Sequence, residues 1–223
     1  MKYLKIIVRW MFILAVPLFC LSFTIDREFS TAWFYSRGFQ QHEVAEYTGF
    51  SDGELNNIAD KFVEYFNSSE PLINIVRASD MAPLFNETET LHFQDVKNLV
   101  ILDRRIMYGS LCVILLGVIW WRKNDWHILG RSLLTGGILT AALLLLMMVG
   151  AAIDFDWLFL QFHLLSFTND YWYSNGYMTR LFPQGFWFDM AMFTVFITTV
   201  VATVFGGIGY TIMRLTHRKA ITQ

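Results

Sequence analysis

Two short stretches of the chain gather the side chains able to do acid–base chemistry. The first runs Asn86-Glu87-Thr88-Glu89-Thr90-Leu91-His92-Phe93-Gln94-Asp95-Val96-Lys97. On a helix, His92 and Asp95 share a face at i, i+3, and Thr88 and His92 share one at i, i+4. A carboxylate so placed orients an imidazole and raises its basicity. The same spacing also suits an amphipathic packing helix that carries one satisfied histidine. The second stretch is Phe162-His163-Leu164-Leu165-Ser166-Phe167-Thr168-Asn169-Asp170-Tyr171-Trp172. Trp157, Tyr171, Trp172, Tyr173, Tyr177 and Trp187 surround it, as in the aromatic belt of a membrane interface. A belt accounts for the Trp and Tyr residues but not for His163, Asn169 and Asp170. A polar cluster inside an aromatic loop suits a lipid headgroup or ester.

Other chemistries have less support. There is no Gly-rich phosphate loop and no Gly-x-Ser-x-Gly elbow. Ser166 lies three residues after His163, and adjacency in sequence is weak evidence for a nucleophile and its base. His92, Asp95, His163 and Asp170 match no familiar zinc spacing. His42, in Gln40-Gln41-His42-Glu43, reads as solvated, as do His127 and His217 in basic segments. Cys20 and Cys112 lie in apolar runs and read as packing residues rather than a disulfide framework.

The two stretches need a scaffold, and composition says which kind. The 223 residues are 55% hydrophobic and only 16% charged, where soluble domains carry about a quarter. A net charge of −2 gives no basic footprint for nucleic acid. These values point to an integral membrane protein. A spanning helix needs about 20 mostly apolar residues. Four segments qualify or nearly do: 6–25, 106–121, 132–153 and 186–213. The second is short, about 24 Å at the helical rise. The predicted class is an all-α membrane protein with four transmembrane helices. A mainly helical extracytoplasmic domain joins the first two spans, and a short outer segment joins the last two.

Charge sets the orientation. Lys2, Lys5, Arg9, Arg122, Lys123, Arg131, Arg214, Arg218 and Lys219 flank the spans on one side, against the single acid Asp125. By the positive-inside rule that side is cytoplasmic, with both termini. Arg104 and Arg105 fall on the other side, at the end of a long loop where the rule is weak. Residues 1–25 then form the N-terminal span and 26–105 the outer domain. Residues 106–223 hold three further spans, with an outer catalytic loop at 154–185. A cleaved signal peptide is the alternative for the first segment, but the flanking residues make a poor cleavage site.

Within the outer domain, Ser51-Asp52-Gly53-Glu54 reads as a capping box. Leu55, Ile58, Ala59, Phe62, Val63 and Phe66 follow at helical spacing and predict an amphipathic packing helix that ends near 67–71. A second helix starts near Asn86 and is expected to run on into the second span. Asn67-Ser68-Ser69 and Asn86-Glu87-Thr88 match glycosylation acceptors, a weak signal at that length.

At the two polar stretches the sequence resembles the bacterial lipoprotein intramolecular transacylase family of four-span membrane proteins. The likeness rests on Leu84-Phe85-Asn86, His92-Phe93-Gln94-Asp95-Val96-Lys97-Asn98-Leu99, Phe162-His163, Phe167-Thr168-Asn169-Asp170-Tyr171-Trp172 and Leu181-Phe182-Pro183-Gln184-Gly185-Phe186, in this order among the spans. It departs at 173–180, a segment shorter than the family pattern and without its acidic residue. The resemblance implies an acyl migration within a diacylated lipoprotein. The sn-2 acyl chain of the glyceryl group moves to the α-amine of the N-terminal cysteine and leaves a lyso-form product. It implies no cofactor and no metal, a diacylated lipoprotein N-terminus as substrate, and outer-leaflet lipids of the bacterial cytoplasmic membrane as surroundings. No covalent acyl-enzyme is needed, since one molecule carries both amine and ester and proximity supplies the effective molarity. His92 and His163 are then the base and the acid or oxyanion donor, in an order the sequence leaves open. Asn86, Asp95, Lys97, Asn169 and Asp170 bind or orient. Two other readings remain: a non-enzymatic lipid- or lipoprotein-binding scaffold, and a lipid hydrolase using Ser166. The enzyme reading requires His92 and His163, 71 positions apart, to meet.

Overall fold

The structure, a computed structural model, describes residues 2–221. The side chains at 2, 124 and 218–221 lie outside that description, and with them the cations Lys2, Arg218 and Lys219 counted above. Eight helices follow one another: α1 (Lys2–Phe29), α2 (Ala32–Gln41), α3 (Val44–Thr48), α4 (Asp52–Asn67), α5 (Glu87–Asn124), α6 (Trp126–Ser166), α7 (Tyr177–Leu181) and α8 (Gln184–Ile221). Among the described residues there is no strand, only an isolated bridge between Val76 and Pro83. The all-helical expectation is met.

Three helices are long and apolar enough to cross a membrane: α1 over Tyr3–Phe29, α6 over Trp126–Ser166 and α8 over Gln184–His217. Four were expected, and α5 is not among the three. Its apolar run, 106–121, is short and sits between Arg104-Arg105 and Arg122-Lys123, so any longer stretch takes in charge. The helix itself does run unbroken from Glu87 into that segment, as the sequence pattern predicts. In α6 the helical path breaks at Asp154 (φ −159°, ψ 92°), next to the expected end of the third span at 153. Asp154 Oδ1 accepts from the Trp157 N–H at 2.9 Å and so caps the helix that restarts there.

The chain divides into two compact units. The first comprises Met1–Ile25, Asp103–Val149 and Thr194–Gln223. Its core is Phe12, Val16, Cys20, Ile114, Trp121, Leu129, Leu133 and Ala202 with smaller neighbours. Here α6 and α8 approach backbone to backbone: a Cβ at Gly209 would lie 2.6 Å from the Gly130 carbonyl oxygen, and one at Gly137 2.8 Å from that of Ala202. Small residues permit such contact, the usual basis of helix association where lipid removes the hydrophobic drive. Most hydroxyls in these apolar helices turn inward on their own backbone. Ser132 Oγ donates to the Ile128 carbonyl and Thr140 Oγ1 to that of Gly136, each at 2.8 Å.

The second unit comprises Asp26–Leu102 and Gly150–Phe193. Its centre is aromatic: Phe39, Phe62, Phe66, Phe85, Phe93, Phe182 and Phe186 are buried together with Leu55, Ile58 and Leu181. Phe62 contacts five other rings, at centroid distances of 5.1–6.3 Å. The capping box forms as read: Ser51 Oγ accepts from the Glu54 N–H, and the Glu54 carboxylate accepts from the Ser51 N–H at 2.9 Å. The buried face of α4 is the predicted one, except that Tyr65 joins it and Val63 stays half-buried.

Candidate active site

The second unit brings the two stretches together. His92 lies on the first turns of α5, where Asn86 caps the helix. The Glu89 N–H donates to Asn86 Oδ1 at 2.9 Å, and the Asn86 N–H donates to Glu89 Oε2 at 3.1 Å. Asn86, expected to bind substrate or to cap the helix, therefore does the second. His163 lies on the last turns of α6, past the break at Asp154. The two imidazole centroids stand 6.1 Å apart with planes 24° from parallel. That separation is about two hydrogen-bond lengths. Among the described residues the two rings make no hydrogen bond to each other. The required meeting of His92 and His163 is realised.

Both imidazoles are buried, 7% and 6% exposed. Their bonding differs. His163 Nδ1 lies 2.7 Å from the Phe159 carbonyl oxygen, one turn back on the same helix. A carbonyl only accepts, so Nδ1 carries the hydrogen and the neutral ring keeps its lone pair on Nε2. His92 has a buried Nδ1 with no hydrogen-bond partner. Burial pushes its pKa down to about 4, the electrostatic influence of His163 adds to this, and the Asp95 carboxylate opposes it. His92 is thus a neutral imidazole near pH 7. Aromatic rings enclose the pair. Phe159, Trp172 and Phe167 stand 4.3, 5.0 and 5.6 Å from His163, and Phe167 stands 5.0 Å from His92.

The remaining predicted residues separate. Asn169 Nδ2 donates to Asp95 Oδ2 at 2.9 Å and ties the loop that follows α6 to the first turns of α5. The Tyr171 N–H donates to Asn169 Oδ1 at 3.1 Å, which fixes which way the amide points. Asp95 and burial also act on Tyr65: burial first, then the carboxylate, hold its phenol up at about 12. Asp170 is exposed, and its backbone carbonyl accepts from the Tyr173 N–H at 3.0 Å. Lys97 departs from expectation. It is 4% exposed, and its ammonium donates to the Tyr65 and Glu70 carbonyls at 2.6 and 2.7 Å and to Ser68 Oγ at 3.2 Å. With these acceptors Lys97 closes the end of α4.

Two further features escaped the sequence reading. Glu89 is a buried carboxylate that receives Ser174 Oγ and the Met178 N–H, both at 3.0 Å, and so binds the 174–178 loop to α5. Gly176 passes directly over it, where a Cβ would collide with the carboxylate. His42, expected to be solvated, is half-buried, with Nε2 2.8 Å from Asp189 Oδ2. Ser166 makes no hydrogen bond to His163 among the described residues, which removes support from the hydrolase alternative. No group of three or more His, Cys, Asp or Glu side chains able to hold a metal ion is found among the described residues.

Fold and site together define a membrane-integral helical protein equipped with a buried imidazole pair. A family model, lipoprotein intramolecular transacylase Lit, matches residues 10–187, most of the chain. The chain belongs to the lipoprotein intramolecular transacylase family, and that name denotes a transferase. The solved structure of the membrane integral lipoprotein intramolecular transacylase Lit from Bacillus cereus shares the fold, with a TM-score of 0.81 at 20% identity over 100% of both chains. Two histidine-substituted forms of that protein give TM-scores of 0.77 and 0.76 at 18% identity, covering 100% of this chain and 96% and 97% of theirs. No curated protein matches the chain.

Proposed function

We propose that the imidazole pair moves an acyl chain within a diacylated lipoprotein, from the sn-2 oxygen of the glyceryl group to the α-amine of the N-terminal cysteine. The observation that carries this reading is the unequal bonding of the two rings. With Nδ1–H held by the Phe159 carbonyl, His163 offers Nε2 as a base. His92, neutral and unpartnered at Nδ1, offers an N–H where negative charge develops on the ester carbonyl oxygen. An α-amine has an ordinary pKa near 8, so the reacting form is the neutral amine, its ammonium proton already given up to solvent. In the step, the amine nitrogen bonds to the carbonyl carbon while His163 takes the amine proton. The carbon–oxygen bond to sn-2 then breaks, and the same proton passes to the departing oxygen. The net change is one ester lost, one amide formed and no proton consumed. Amine and ester belong to one molecule, so no covalent acyl-enzyme is required.

In this reading Asp95, held by Asn169, and the aromatic rings around His163 fix the geometry. Asp170, exposed on the loop, is placed to meet the substrate peptide. α5 serves as a fourth crossing, short for its task. Both termini then lie in the cytoplasm by the positive-inside count, and residues 26–105 with 154–185 face outward. The lipoprotein reaches the site from the outer leaflet of the bacterial cytoplasmic membrane.

The test is mass spectrometry of a reporter lipoprotein's N-terminal peptide in a host without other N-acylating enzymes. Expression of the protein should move one acyl chain from glycerol to the amine at unchanged mass, and His163→Ala should abolish the shift. Unmodified diacylglyceryl-cysteine beside folded wild-type protein would reject the proposal in favour of a scaffold.

A further inference from the structure

The first unit contains an apolar cleft of about 360 Å³ between the start of α1 and the end of α5. Leu4, Val8 and Phe12 of α1 and Val113 and Trp120 of α5 line it, and Lys5 is the one charged residue in the lining. The edge-to-face pair of Phe12 and Trp121, with centroids 5.2 Å apart at 87°, forms its inner wall. Gly117 admits that pair, because a Cβ there would run into the Phe12 ring.

Lys5 brings positive charge to the lining of this cleft, and other cations stand close to it in sequence. Arg9 follows Lys5 at i, i+4 on α1, so the two cations share a stripe of the helix. The Nε of Arg9 is buried and, among the described residues, has no hydrogen-bond partner. A buried guanidinium donor left unpaired is costly, and an anionic acceptor would relieve it. Arg122 and Lys123 close α5, just past Trp120 and Trp121. An apolar slot on a membrane-length helix with Lys5 in its lining and other cations close in sequence has the chemistry of a phospholipid: acyl chain in the slot, phosphate at the cations. A second copy of the chain would bring the same cations to the same place and be repelled.

We propose that this cleft is a binding site for an anionic phospholipid, its acyl chain against Val8, Phe12 and Val113 and its headgroup phosphate at Lys5 and Arg9. Such a lipid would pack the weakly apolar α5 against α1. The proposal concerns the membrane-embedded unit and does not depend on the acyl-transfer chemistry.

Native mass spectrometry of the full-length protein in detergent tests it, with phosphatidylglycerol and phosphatidylcholine of identical chains as probes. Phosphatidylglycerol should bind the more tightly. Lys5→Ala should weaken its binding by about fivefold, the effect of one cation near an anionic lipid. Val113→Phe, which fills the slot, should remove binding of both lipids. Lys5 is exposed, so its variant keeps the test meaningful if the filled variant does not fold. Equal binding of the two lipids, unchanged phosphatidylglycerol binding in Lys5→Ala, or a dimer mass in place of lipid adducts would overturn the proposal.

Discussion

The two units of this chain are held together by opposite means. In the first, glycines let α6 and α8 touch through their backbones, most hydroxyls bond to their own helices, and Thr198 Oγ1 donates to Thr24 Oγ1 of α1 at 3.0 Å. In the second, rings pack on rings around Phe62, and a buried lysine and a buried glutamate tie loops to helices through hydrogen bonds. Where lipid surrounds a helix, burying apolar surface gains little, and cohesion comes from close contact. In the aromatic unit, large rings packed on one another supply the stability. The imidazole pair sits in the aromatic unit, walled by Phe159, Phe167 and Trp172.

That contrast can be broken or sharpened by substitution. The largest effect expected is on activity. His163→Ala removes the proposed base and should lower acyl transfer by about 10²–10⁴-fold, the usual weight of a general base. Its melting temperature should stay close to that of the wild type, which separates lost chemistry from lost fold. Phe62→Ala comes next. It opens the centre of the aromatic unit and should cost about 3–5 kcal/mol, read by thermal unfolding in detergent.

The third prediction concerns pH. The folded pKa of His92 is depressed to about 4 from an ordinary 6.5. Between those values the unfolded chain takes up a proton that the folded chain refuses, so stability falls as pH falls from about 6.5 to about 4. The loss is on the order of 3 kcal/mol in all. His92→Gln should flatten that part of the stability profile. A slope that persists in the variant would place the responsible group elsewhere. The smallest effect belongs to the membrane unit. Gly209→Ala forces a Cβ onto the Gly130 carbonyl and should cost about 1–3 kcal/mol. A cost larger than that of Phe62→Ala would reverse the comparison between the units.

Much of this was legible in the sequence because the signals are local. The stripe from Leu55 to Phe66 has helical period, and Ser51 and Glu54 stand at capping-box spacing, so α4 could be placed with its face. The apolar runs marked α1, α6 and α8. The run at 106–121 was harder, because its length is marginal and charged pairs bound it. His92 and His163 stood out as the chemical residues by type and by polar neighbours, and the family likeness singled out the same two. What stayed hidden depends on contacts between distant segments. Nothing beside Lys97 in sequence says that its partners are carbonyls at the end of α4. Nothing beside Glu89 in sequence marks it as buried, and the Ser174 loop that closes over it lies 85 positions away. The hydrogen bond that sets the tautomer of His163 goes to a backbone carbonyl, which residue type cannot encode.

The central claim is that the imidazole pair moves an acyl chain within one molecule. Its most direct test uses the purified protein and a synthetic diacylglyceryl-cysteine peptide with an isotopic label in the sn-2 chain only. The account predicts that the label appears as an amide on the same peptide, with no labelled fatty acid released, and that both His92→Ala and His163→Ala abolish its formation. Label released as free acid, exchanged between peptides, or transferred at an undiminished rate by either variant would contradict it.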